Sequence, residues 1–195
     1  MTRGADKYKE QKTTESVQKN IQDGKKKKKP VFIKDLFDLL IKIGLIVLAF
    51  YLMGTYLFGV HRVSLPNMEP NVKDGDLVFF YRLDKEFVAG DIAVMQREGK
   101  LDIQRVIAIG GDTVDIDEEN LRVNGYVQHS LENVYTSGKT MRYAEGIDFP
   151  VTLAENEIFL LGDKREDATD SRIYGPVKKE DTLGKIMLVL RRRGF

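Results

Sequence analysis

Leu101-Asp102-Ile103-Gln104-Arg105-Val106-Ile107-Ala108-Ile109, then Gly110-Gly111-Asp112, then Thr113-Val114-Asp115-Ile116, reads as two strands joined by a tight turn. β-Branched side chains are stiff at χ1 and suit a pleated surface, and glycine supplies the backbone freedom a turn needs. The same texture continues on both sides. Asp76 to Arg82, Asp91 to Gln96, Glu157 to Leu161 and Gly184 to Leu190 are strand-like runs bounded by Gly, Asp or Lys. Asn124-Gly125, between Leu121-Arg122-Val123 and Tyr126-Val127, is a type I′ hairpin signal. No long amphipathic helix is predicted after residue 60. The expectation is a mainly β, antiparallel domain, a folded sheet or partial barrel at residues 61–195. Residues 117–155 are its least regular stretch and read as an inserted cap.

Upstream the texture changes. From Ile43 to Val60 the chain carries no charge. About 18 residues at 1.5 Å each span roughly 27 Å, close to the hydrocarbon thickness of a bilayer. Lys42 can snorkel and Leu36 to Leu40 extend the helix, so a transmembrane helix is predicted over residues 35–60. The run exceeds the apolar core of a cleaved signal peptide, and no small-x-small site follows it. Tyr51 falls near its middle, facing either a protein contact or an interface. His61 and Arg62 mark the outer boundary.

The formal net charge of +1 hides an asymmetry. Met1 to Lys42 holds 12 Lys/Arg against 6 Asp/Glu, whereas the chain from His61 on holds 19 against 24. Lys25 to Lys29 and Lys34 precede the apolar run, so the positive-inside rule keeps that end cytoplasmic and puts residues after about 60 outside. The predicted location is the cell membrane, crossed once, with the lipid bilayer as a partner. Residues 1–34 form a basic cytoplasmic tail, polar enough to be disordered. The folded part lacks the basic and aromatic interleaving of a nucleic-acid surface, so no nucleic-acid partner is predicted. There are no cysteines and two histidines. That excludes disulfides and thiol catalysis and disfavours a metal site or a Ser-His-Asp triad; no metal and no cofactor is predicted.

Four segments in register then stand out. Asn67-Met68-Glu69-Pro70 with Lys73-Asp74-Gly75-Asp76-Leu77-Val78 is the first, and Ala89-Gly90-Asp91-Ile92-Ala93-Val94 the second. Gln104-Arg105-Val106-Ile107-Ala108-Ile109-Gly110-Gly111-Asp112-Thr113-Val114 is the third. Leu161-Gly162-Asp163-Lys164-Arg165 with Asp170-Ser171-Arg172-Ile173-Tyr174-Gly175-Pro176-Val177 is the fourth. Together they resemble the conserved boxes of type I signal peptidases: Ser-Met-x-Pro with Gly-Asp-x-Val, a second Gly-Asp strand, Lys-Arg-Val-Ile-Gly-x-Pro-Gly-Asp, and Gly-Asp-Asn-Arg with Ser-x-Asp-Ser-Arg. The single N-terminal anchor resembles the Gram-positive form. The resemblance implies a serine endopeptidase that removes leader peptides from exported proteins with a serine nucleophile and a neutral lysine base. It also implies that Gly162, Asp163, Asp170, Ser171 and Arg172 are the site's scaffold, with Asp170 and Arg172 placed for an ion pair.

The reacting groups are absent. The serine position holds Asn67, whose amide nitrogen is delocalised into its carbonyl, and the lysine position holds Gln104, which has no basic nitrogen. Leu65 stands at a position that supports the oxyanion hole in many family members, and Ala168 replaces the serine that holds the lysine. Loss of the nucleophile alone costs on the order of 10⁶ in turnover in a comparable serine protease. Ser64, Lys73, Lys100 and Ser171 are the candidates for a relocated hydroxyl–amine pair, which must come within about 3 Å. Asn67 and Gln104 are expected to face each other, within hydrogen-bond reach.

Two functions follow from the resemblance. One is a non-catalytic accessory factor or chaperone in pilus assembly, binding exported proteins or pilins beside a sortase. Its groove would be lined by Met68, Pro70, Phe79, Phe80, Ile103 and Arg105, with strand alternation sending at least one phenylalanine into the core. The other is an active type I signal peptidase with a relocated dyad. Arg191-Arg192-Arg193 is a candidate contact for anionic lipid or wall polymer.

Overall fold

The structure is a computed structural model that describes residues 31–117 and 120–191. The basic tail with Lys25 to Lys29, and Arg192 and Arg193, lie outside the described residues. The chain divides into two compact units, one ending at Phe50 and one beginning at Tyr51.

Helix α1 runs Val31–Leu57. Its segment Ile33–Leu57 has a mean hydropathy of 2.3 and is long and apolar enough to cross a membrane, with none of its most apolar window buried. Tyr51 is exposed. The helix starts earlier than residue 35 and stops before residue 60. Phe58, Gly59 and Val60 instead open strand β1, Phe58–Arg62, which pairs antiparallel with β2, Leu77–Tyr81. Gly59 makes this possible: a Cβ there would lie 2.1 Å from Cζ of Phe80, whose ring covers the glycine. Apolarity alone does not separate the last helical turn from the first strand.

The other strands are β3 Ile92–Arg97, β4 Lys100–Ile109, β5 Thr113–Ile116, β6 Leu121–Val123, β7 Tyr126–Val127, β8 Val151–Thr152, β9 Glu157–Leu161, β10 Val177–Lys178 and β11 Thr182–Leu190. They form a seven-stranded sheet, β1-β2-β11-β3-β4-β9-β10, and a four-stranded one, β7-β6-β5-β8. All named pairs are antiparallel. Asn124 (φ 53°) and Gly125 (φ 81°) join β6 to β7 with the two positive φ angles of a type I′ turn.

Residues 117–155, read as an inserted cap, have secondary structure of their own and join the core. They supply β6, β7, a short helix His129–Asn133 and β8, and Leu121, Leu131 and Leu153 share one core with Ile107 of β4 and Phe159 and Leu161 of β9. Their strands are too short for a period-2 pattern to show in sequence. A second core lies under β2 and contains Val63, Met68, Val72, Val78, Phe80, Val94 and Ile103.

Candidate functional site

The site is built where the chain between β1 and β2, the start of β4 and the loop after β9 meet. Pro66–Met68 forms a 3₁₀ turn whose buried residues are Asn67 and Met68. Proline sets φ for the turn, and Met68 is drawn into the core beneath β2. The Asp76 carboxylate accepts from the Lys73 N–H at 3.0 Å, closing the following turn. Strand β4 presents Asp102 and Gln104, two residues apart and so on one side. From the closing loop come Thr169 and Asp170, then the short helix Ser171–Tyr174, capped by Asp170.

Asn67 and Gln104 do not bond each other directly; they are bridged. Asn67 Nδ2 donates to Oδ1 of Asp102 at 2.7 Å and to the Ile103 carbonyl at 3.0 Å. Gln104 Nε2 donates to Oδ2 of Asp102 at 2.8 Å and to the Thr169 carbonyl at 2.9 Å. The Tyr174 hydroxyl donates to Gln104 Oε1 at 2.7 Å, completing the glutamine's set. Asn67 Oδ1 is buried without a partner. Turning the amide over would set that oxygen against two acceptors, so the orientation is fixed by Asp102 and Ile103.

Asp102 is 8% exposed, and burial pushes its carboxyl pKa up, countered by hydrogen bonds from Asn67, Gln104 and the Ile103 N–H and by the charge of Arg97. Burial also raises the Tyr174 hydroxyl, reinforced by the charges of Asp102 and Asp170, so the tyrosine stays a donor. Arg97 lies over the Tyr174 ring, 4.2 Å from its centroid. Asp102, Thr169 and Tyr174 are the participants that matching to conserved boxes missed. The available signal was Asp102 itself, an acid placed two residues from Gln104 in the same strand.

Around this centre the scaffold is charged and buried. Arg105 grips Asp163 through two bonds of 2.7 and 2.6 Å, with Asn71 Nδ2 adding a third to Asp163 at 2.9 Å. Arg172 grips Asp170 at 2.8 and 2.7 Å. Ser171 Oγ accepts from the Leu160 N–H at 3.0 Å. Gly162 has no room for a side chain, because a Cβ would sit 2.3 Å from Cβ of Ala168 and 2.8 Å from the Asn67 carbonyl oxygen. Leu65 is half-buried beside the turn.

The six expected groove residues are not gathered on one surface. Met68, Phe80, Ile103 and Arg105 are interior, at 0%, 2%, 2% and 4% exposure. Phe79 is half-buried on the opposite face of β2 from Phe80, and Pro70 is exposed. Strand alternation and the demands of the core take these positions. Strand β4 pairs with β3 from Lys100, but with β9 only from Arg105. Lys100 to Gln104 therefore has no strand partner on that side among the described residues.

Among the described residues no hydrogen bond joins Ser64, Lys73, Lys100 and Ser171 into a hydroxyl–amine pair; the first three are exposed and Ser171 is buried. One such pair stands elsewhere. Lys85 Nζ donates to Thr182 Oγ1 at 3.2 Å, and burial pushes the lysine pKa down, opposed by Asp181. Thr182 is 2% exposed, and its hydroxyl already donates to the Lys179 carbonyl at 2.7 Å. Lys85 also donates to the Thr182 carbonyl. That geometry is a clamp between a loop and β11, with the hydroxyl turned away from solvent.

The family described as signal peptidase, peptidase S26, matches residues 36–191. The chain belongs to this family. Among curated signal peptidases it is 28% identical over 179 residues to signal peptidase I P of Bacillus subtilis subsp. natto, covering 86% of this chain and 93% of the relative. It is 30% identical over 147 residues to signal peptidase I of Bacillus licheniformis, covering 70% and 78%. Signal peptidase IB of Staphylococcus aureus (strain Mu50) is 24% identical over 173 residues, covering 78% and 88%. The crystal structure of a signal peptidase I from Enterococcus faecalis V583 aligns at 24% identity with a TM-score of 0.42, over 52% of this chain and 97% of that one.

Proposed function

We propose that this signal peptidase family member is a non-catalytic, membrane-anchored binding protein that holds extended segments of exported proteins. The carrying observation is that both amides at the dyad positions have their nitrogens committed to the buried Asp102 carboxylate. Neither can attack a carbonyl or remove a proton. The carboxylate adds a second obstacle, since an acid this close would hold any amine at position 104 in its charged form. On the β9 side no strand among the described residues pairs with Lys100 to Gln104, which supports binding by strand addition once the Asn67 contact with the Ile103 carbonyl gives way. In this reading α1 anchors the chain with its N-terminal end cytoplasmic and the β domain outside, and the partners are exported proteins, pilins and a sortase in pilus assembly.

A photo-crosslinker at Pro70, exposed three residues from Asn67, tests the reading in cells. Adducts with intact exported proteins or pilins are expected. Adducts only with leader-cleaved products, or none, contradict it. The competing reading is an active signal peptidase with a relocated dyad; it predicts leader cleavage that disappears with Ser64→Ala, Lys73→Ala or Thr182→Val.

A further inference from the structure

Strand β4 is closed beside the site by the site's own side chains. Val106 makes both of its backbone bonds on the β3 side: its carbonyl accepts from the Gly90 N–H and its N–H donates to the Asp91 carbonyl, each at 2.8 Å. Backbone direction alternates along a strand, so the N–H and carbonyl of Arg105 and Ile103 turn the other way, toward β9. Arg105 meets Leu161 of β9 there. Ile103 meets side chains instead. Its N–H donates to the Asp102 carboxylate, and its carbonyl accepts from Asn67 Nδ2 at 3.0 Å.

A segment adding beside Ile103 needs those same two backbone groups, because antiparallel neighbours exchange an N–H and a carbonyl. It must displace both side chains. Asn67 can turn about its own side-chain bonds, since Met68 is fixed in the core and the Asn67 carbonyl is held by the Lys164 N–H at 2.9 Å. Asp102 then loses two of its donors and keeps Gln104 Nε2 at 2.8 Å. A buried carboxylate stripped of hydrogen bonds takes up a proton more readily.

The surrounding charges do not oppose that step. Arg97 of β3 acts on Asp102 by its charge and stacks on Tyr174, without an ion pair to the acid among the described residues. Tyr174 stays a donor to Gln104, Asp170 is gripped by Arg172, and Asp163 by Arg105. Glu69, half-buried, follows the 3₁₀ turn, and Lys100, exposed, begins β4. Two acceptors hold the Asn67 amide in its present orientation, Asp102 and the Ile103 carbonyl. An added strand occupies the second, and a proton turns the first into a donor. The amide can then turn over and offer Oδ1, the buried acceptor that has no partner in the closed site.

We infer that Asn67 and Asp102 form a proton-linked latch on β4: an extended segment of an exported protein displaces them from Ile103, and Asp102 takes one proton from solvent and donates it in a hydrogen bond to Asn67 Oδ1. The inference rests on the strand-addition reading and supplies its regulation. Binding and protonation favour each other. Affinity therefore rises as pH falls, by up to about tenfold per pH unit above the pKa of Asp102 in the free chain, and levels off below it.

Binding of a purified, fluorescently labelled exported preprotein without histidine to the full chain in detergent, from about pH 5 to about pH 8, tests this. The wild type should lose affinity as pH rises, by roughly three- to tenfold per unit. Asp102→Asn is uncharged at every pH and carries a donor for Asn67 Oδ1, so its affinity should stay level and exceed that of the wild type at the alkaline end. Glu69→Gln removes a carboxylate outside the latch and should keep the wild-type slope. Equal slopes for the wild type and Asp102→Asn overturn the inference and leave strand addition standing. Absence of binding at every pH removes both. Should Asp102→Asn not fold, calorimetry of the wild type in two buffers of different ionisation enthalpy decides: uptake of about one proton per complex supports the latch, and no uptake overturns it.

Discussion

Asn67 and Gln104 are joined through a third side chain: their amide nitrogens donate to opposite oxygens of the Asp102 carboxylate, at 2.7 and 2.8 Å. The pair therefore behaves as one unit organised around a buried anion. Two amide donors accommodate this acid, beside which a lysine would be held in its charged form.

The first consequence concerns repair. Asn67→Ser with Gln104→Lys restores the family's dyad in name, yet the new ammonium would sit beside Asp102 and stay protonated at neutral pH. The double variant is expected to remain inactive on an exported preprotein, with any gain appearing only when Asp102 is also made apolar. Full activity from the double variant alone would remove Asp102 from the explanation.

Asp102 also has a signature in stability against pH. Its folded-state pKa is raised by burial above the ordinary value of about 3.9. From that value upward the unfolded chain has lost a proton that the folded chain retains, so the contribution of Asp102 to stability falls as pH rises through the window. Asp102→Asn removes this slope. Unfolding midpoints of both proteins in detergent, measured from about pH 4 upward, should show the wild type losing ground relative to the variant. A flat or opposite difference would contradict the assignment.

The buried ion pairs differ from those at the surface. Arg105→Ala leaves Asp163, fully buried, without its bidentate partner and should cost about 3–5 kcal/mol. Arg122→Ala breaks a pair whose side chains are 36% and 38% exposed and should cost less than about 1 kcal/mol. Chemical denaturation of the two variants side by side checks the contrast.

Gly162→Ala forces a methyl group against Ala168 and the Asn67 carbonyl, an overpacking expected to cost about 1–3 kcal/mol. Adding Ala168→Gly removes the closer of the two contacts and should recover part of the loss in thermal midpoint. No recovery would place the strain on the Asn67 side.

Much of this architecture was legible in the residues. Leu101 to Ile109 and Thr113 to Ile116 were readable as strands because β-branched runs end at glycine and aspartate, and Asn124-Gly125 announced its turn. The apolar segment was readable from its length. Its boundary was not, because Phe58 and Val60 are as suited to a sheet edge as to a membrane, and only the Gly59 contact with Phe80 shows the switch. The dyad positions could be placed by matching boxes. Their bonding could not, since that method looks for residues where a catalyst would have them, and Asp102 stands where none is sought. Nor does sequence matching give burial: Met68, Ile103 and Arg105 flank the site in sequence and are interior in the structure.

The most direct measurement is the fate of a preprotein mixed with the purified full chain in lipid vesicles at stoichiometric concentration. The account predicts that the precursor keeps its leader throughout, and that Asn67→Ala changes nothing. Time-dependent removal of the leader, proportional to the amount of this protein and abolished by Ser64→Ala, Lys73→Ala or Thr182→Val, would contradict it.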